Sequence, residues 1–148
     1  LSKIIEPNVC ISSKRLQAIK ILSDNGIFTG IMMNPMLPFI TDKEEDIRYL
    51  VKLAYENGAK FIHTYMGMTS RENQRDYYFY KLDQHFIGIK EKYIKYYGDK
   101  YNCIVPNYKR LYKVFTDECI KYGILYDMKD IIKAYKKEIK SNEQITLF

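Results

Sequence analysis

The 148-residue chain has no stretch of eighteen apolar residues, so no membrane-spanning segment and no membrane partner are expected. It has no basic-then-apolar leader at its start, so no signal peptide is visible. No initiator Met precedes Leu1, an opening expected of a processed chain or of a piece of a longer one. Cysteines are few. Cys10, Cys103 and Cys119 match no zinc or iron–sulfur spacing, and an odd number argues against a secreted disulfide framework. A reduced, cytoplasmic setting with cysteines filling space is the expectation. Also missing are a phosphate-binding glycine loop, a nucleophile elbow and a Cys–His pair set in a motif. By itself this stretch shows no catalytic machinery.

What the chain does have is a basic second half. Residues 1–85 hold 11 Lys/Arg against 10 Asp/Glu, residues 86–140 hold 13 against 7, and residues 141–148 hold none against 1. The excess is interleaved with Tyr93, Tyr96, Tyr97, Tyr101, Tyr108, Tyr112, Tyr122, Tyr126 and Tyr135. A basic, aromatic surface can track a nucleic-acid backbone and stack bases. Against that stands a compositional reading, because Lys, Ile, Tyr and Asn are plentiful along the whole chain.

Periodicity lays out the first half as helix, strand, helix, strand. Ser12 or Ser13 reads as an N-cap, Leu16, Ile19 and Leu22 recur at helical spacing, and Asn25-Gly26 is a stop. The apolar run Ile27–Met33 reads as a buried parallel strand, ended by the prolines of Asn34–Pro38. Thr41 or Asp42 reads as the next cap, with Glu44 or Glu45 completing a capping box. Ile47, Leu50, Val51 and Ala54 form the buried stripe, Asn57-Gly58 stops the helix, and Ala59–Met66 reads as a second buried strand. From Ser70 on only helices are expected, near 70–82, 86–97, 107–122 and 128–139. Two parallel strands do not make a stable sheet alone, so the layout reads as part of a larger α/β protein.

Ligands of parallel α/β folds bind beyond the carboxyl ends of the strands. That nominates the loops Met33–Thr41 and Tyr65–Arg75. Arg71 and Arg75 are four apart on one helix face near its N-terminus, placed to clamp an anion or to pair with Glu72 and Asp76. His63 and His85 have no metal-ligand partner at short spacing and read as structural; no metal site is expected.

A run of segments carries a family resemblance: Glu6-Pro7, Ser13–Leu16, Ala18-Ile19, Gly26-Ile27, Asn34–Asp42 (Asn-Pro-Met-Leu-Pro-Phe-Ile-Thr-Asp), Asn57–Ala59, Gly67–Arg71, Asp76–Asp83, Tyr101–Cys103 and Pro106-Asn107. Together these resemble the C-terminal half of radical S-adenosylmethionine proteins of the spore photoproduct lyase-like group, often labelled DNA repair photolyase. The resemblance implies an α/β fold, the C-terminal part of a partial (β/α)6 TIM-like barrel. Its βα units would occupy 1–82, a helical cover 83–140 and a tail 141–148. It implies a parent enzyme that binds S-adenosylmethionine and a [4Fe–4S] cluster and abstracts a substrate hydrogen through a 5′-deoxyadenosyl radical. The family's three cluster cysteines lie in a loop that this chain lacks. Carried over residue by residue, Met33, Asn34, Pro35 and Pro38 would line the adenosine pocket on one side and Tyr65 and Met66 on the other. Arg71 and Arg75 would face the substrate. DNA is the partner class implied. The tail Gln144-Ile145-Thr146-Leu147-Phe148 resembles the peptide by which bacterial repair proteins dock on the replication sliding clamp; the alternative is that Leu147 and Phe148 pack at home.

Overall fold

The computed structural model describes residues 1–139. Its fold is mixed α/β. In chain order the elements are α1 (Ser2–Ile5), α2 (Ser12–Asp24), β1 (Gly30–Met33), α3 (Glu44–Glu56), β2 (Phe61–Thr64), β3 (Gly67–Thr69), α4 (Glu72–His85), α5 (Ile89–Tyr97), β4 (Asn102–Ile104), α6 (Tyr108–Tyr122) and α7 (Met128–Ile139). Among the described residues no helix is long and apolar enough to cross a membrane.

β1 and β2 pair in parallel, Gly30 opposite Phe61 through Met33 opposite Thr64. β2 gains a further neighbour at Leu125, whose N–H donates to Lys60 O at 3.0 Å while Ile62 N–H donates to Leu125 O at 2.8 Å. The other edge of β1 has no strand beside it among the described residues. α3 covers one sheet face. Met33 and Ile62 join Ile47, Val51 and Ala54 of α3 and Phe115 and Cys119 of α6 in the main core. Side chains alternate along a strand, so Met32 and its register partner His63 point to the opposite face, where Met32 is 61% exposed.

The helix ends follow the sequence. Asn25 and Asn57 each donate a side-chain N–H to the carbonyl four residues back, Ile21 O and Leu53 O, both at 2.8 Å. Gly26 and Gly58 follow at φ 76° and 79°, the left-handed turn that releases the chain toward its strand. The starts do not follow. α2 begins at Ser12 behind Ile11, and α3 begins at Glu44 behind Lys43, with no side-chain cap bond at either. Thr41 is engaged elsewhere: its hydroxyl accepts Leu37 N–H at 2.8 Å, holding the loop that precedes α3.

The expectation of helices alone after Ser70 is corrected. β3 pairs antiparallel with β4, Gly67 opposite Ile104 and Thr69 opposite Asn102. Ala59–Met66 is therefore not one strand: the chain leaves the parallel pair after Thr64 and enters a second, two-stranded sheet at Gly67. Beside that sheet lies a second core of Leu37, Tyr78, Leu82, Tyr93, Tyr97 and Cys103. The Tyr78 and Tyr93 hydroxyls are 3.0 Å apart, and burial pushes Tyr78 up to about 12 and Tyr93 higher still. Of the nine second-half tyrosines, Tyr93 and Tyr97 are thus core, Tyr112, Tyr122 and Tyr126 are half-buried, and Tyr96, Tyr101, Tyr108 and Tyr135 are exposed.

Where α3 crosses α6, the buried Glu118 receives Arg48 Nη1 at 2.5 Å and Lys121 Nζ at 3.1 Å. Burial pushes this carboxyl up, but the hydrogen bonds from Lys121 and Arg48 outweigh it and hold the group below the usual carboxylate range. A carboxyl lower in the folded than in the unfolded state stabilises fully above the unfolded value, about 4.3. That contribution is lost as pH falls through the folded value. Urea midpoints are expected to drop as the buffer is taken below about pH 4, and to drop less steeply in Glu118→Gln. Parallel acid profiles for the two proteins would remove Glu118 from this role.

Candidate functional site

The parallel strand ends meet at a stitched corner. Tyr65 N–H donates to Asn34 Oδ1, and Thr64 Oγ1 donates to Met33 O at 3.2 Å. Met36 N–H reaches Gly67 O at 3.1 Å. Side chain and backbone of one loop thus hold the other, so the turn after β1 and the exit from β2 move as one piece. Met36, Leu37 and Pro38 are buried beneath this corner. Phe39 holds a left-handed φ of 64° and lays its ring edge-on to Tyr93 and Tyr96.

From this corner a groove of about 990 Å³ runs along the free edge of β1. Its walls are Arg15, Leu16 and Ile19 of α2, Ile31 to Met33 of β1, Asn34 to Met36 of the loop, and Asp46, Ile47 and Leu50 of α3. The lining is apolar, with Arg15 and Asp46 as its charges. α2 has no fully buried residue; Leu16 and Ile19 are half-buried, Ile19 packing against the main core. Such a slot suits a flat apolar ligand or an extended chain that pairs with the β1 backbone.

Three of the six residues assigned to the adenosine side, Met33, Asn34 and Pro35, line this groove. The other three do not. Pro38 and Met66 are buried, and Met66 O accepts Val105 N–H at 3.0 Å. Tyr65 turns toward β4, its hydroxyl donating to Asn102 Oδ1 at 3.3 Å, and burial raises its pKa. The two arginines are also separated. Arg71 is exposed and stands just before α4. Arg75 is tied down: it donates to Asp99 Oδ1 at 2.9 Å and Gly98 O at 2.7 Å, and its guanidinium lies 5.2 Å from the Phe79 ring centre. It pairs with neither Glu72 nor Asp76 but with the end of α5, a partner that no local spacing announces. Gln144, Ile145, Leu147 and Phe148 lie outside the described residues.

A smaller cavity, about 720 Å³, lies between the starts of α3 and α6 and is lined by Asp42, Lys43, Glu44, Lys92 and Arg110 among others. Its charges neutralise one another, Arg110 Nε standing 2.5 Å from Glu44 Oε1. Among the described residues no three His, Cys, Asp or Glu side chains gather where they could hold a metal. Cys10 is exposed, Cys103 belongs to the second core and Cys119 to the first.

The fold and site define a mixed α/β chain with a parallel strand pair and a groove at the strand ends. No family model, curated protein or solved structure matches it.

Proposed function

We propose that this chain is the C-terminal part of a radical S-adenosylmethionine enzyme of the spore photoproduct lyase-like group, giving the nucleoside side of the cofactor pocket and a helical cover. The carrying observation is the β1–β2 pair. It is parallel and α3 covers one face, while the opposite face and the outer edge of β1 carry no strand among the described residues. Parallel sheets are stable when both faces are covered and further strands flank them. The pair therefore fits a barrel segment better than a finished sheet. Met33, Asn34 and Pro35 would line the nucleoside's side, with Tyr65 acting through its N–H on Asn34. Arg71, exposed beyond β3, would face the substrate, and DNA is the partner class that the resemblance implies. Clamp docking through Gln144–Phe148 belongs to the same reading.

The iron–sulfur cluster does not fit the residues present. It needs three thiolates in one loop, and the three here sit on the surface and in two separate cores. No chemical step on this chain is therefore derived through it. Anaerobic reconstitution of the 148-residue chain is expected to give no stoichiometric four-iron cluster by iron and sulfide analysis. The reading itself is tested upstream: extending the reading frame should reveal three cysteines at the family's spacing, and a different domain there would overturn it. A nucleic-acid-binding module without catalysis is the rival. It has fewer aromatic faces to offer than the sequence promised, since Tyr93 and Tyr97 are core.

A further inference from the structure

The loop from β1 to α3 serves two cavities that share no lining residue. Asn34, Met36 and Thr41 line the groove, whereas Phe39 and Asp42 line the smaller cavity between the starts of α3 and α6. Its volume, about 720 Å³, lies in the range of small-molecule sites. Leu111, buried, and Phe39 and Pro106, half-buried, give it apolar surface. Its shape depends on unusual backbone. Phe39 and Asn107, both on its wall, are the two non-glycine residues with a left-handed φ among the described residues, 64° and 59°. The Phe39 ring is held there by Tyr93, Tyr96 and Tyr97, with centroids 5.5, 5.8 and 6.1 Å away.

The charges decide what such a cavity accepts. Arg110 and Glu44 are spent on each other, a bridge from α6 to α3. Asp42, Lys43, Glu45 and Lys92 form no ion pair among the described residues. Two cations and two anions therefore stand around one apolar patch without engaging one another. An anion drawn to the lysines meets Asp42 and Glu45, and a cation drawn to the carboxylates meets Lys43 and Lys92. A neutral apolar ligand takes water from four charges and returns nothing. A ligand with both charges and an apolar body satisfies every group. We infer that this cavity binds a small zwitterion of that kind, a short apolar peptide with both termini free. Its carboxylate faces Lys43 and Lys92, its ammonium faces Asp42 and Glu45, and its side chains lie on Phe39, Pro106 and Leu111. The site is independent of the cofactor reading, since the groove contributes none of its residues.

Titrating the 148-residue chain with dileucine, followed by amide NMR shifts, tests this. Saturable shifts are expected at Lys43, Asn107 and Leu111. N-acetyl-dileucine and dileucine amide should each bind about fivefold more weakly, the scale of one partly exposed ion pair. Lys92→Gln, a change at an exposed side chain, should weaken dileucine by a similar factor and leave the affinity of the amide unchanged, because the carboxylate it serves is then absent. Lys133→Gln on α7, outside the cavity, should bind as the unaltered chain does. No saturable shift at the cavity amides up to about 10 mM peptide would overturn the inference. So would blocked peptides that bind as tightly as dileucine, or a Lys92→Gln chain of undiminished affinity.

Discussion

Gly30→Ala is expected to cost about 3 kcal/mol of stability, the upper end of overpacking effects. A Cβ at this position would come within 2.4 Å of the Phe61 carbonyl oxygen and 2.6 Å of the Phe61 ring. The oxygen is backbone of the facing strand. The ring is held by stacking on Phe28, centroids 5.4 Å apart, so neither can swing aside. Relief requires the parallel strands to separate at their first pair, which also loosens the Lys60 N–H bond to Thr29 O, 2.8 Å long, just outside it. Equilibrium urea unfolding should show the midpoint falling by roughly 1–2 M for a slope typical of a small domain. An unchanged midpoint would mean that the close approach of Gly30 to Phe61 does not exist in solution.

Phe115→Ala should be at least as costly, about 3–5 kcal/mol. Phe115 is 1% exposed and is among the largest side chains fully enclosed. Its ring meets Tyr112 at 6.0 Å and Tyr126 at 6.2 Å between centroids, and it shares a core with Val51 and Ala54 of α3. Removing it opens a cavity where α3 crosses α6, and the strand that α3 covers loses its support. On the same helix Ile120 is 64% exposed, so Ile120→Ala should stay within about 0.5 kcal/mol. Thermal unfolding of the pair gives the comparison; equal losses would place the core elsewhere.

Helices were legible where local chemistry decides them. The two Asn-Gly stops act within four residues, and the stripe Ile47, Val51, Ala54 is both periodic in sequence and buried in the fold. The helix starts misled because Ser12, Ser13, Thr41 and Asp42 are capping types whatever their partner; Thr41 spends its hydroxyl on Leu37 instead. The β3–β4 pair was hidden for a different reason. Each strand is three residues long, too short for a period, and Met68 meets Cys103 across the whole of α4 and α5, which separate them in sequence. The same distance in sequence hid the tie of Arg75 to Asp99 and of Arg48 to Glu118. At the candidate site, strand-end topology located the corner of Asn34 and Tyr65. It could not say which side chains turn into the groove, because that depends on where the chain goes after Thr64.

The placement of the cysteines gives the chain a built-in gauge of its own folding. Cys103 and Cys119 sit in different cores, and burial pushes both thiols up, Cys119 to about 12. The nucleophile in alkylation is the thiolate, so both are doubly protected, by enclosure and by protonation. Cys10 is exposed. A thiol reagent therefore meets one reactive site in the native chain and three in the unfolded one. Because the two shielded thiols report on separate cores, the order in which they become reactive distinguishes a chain that opens as a unit from one whose second core, with Tyr78, Tyr93 and Tyr97, loosens first.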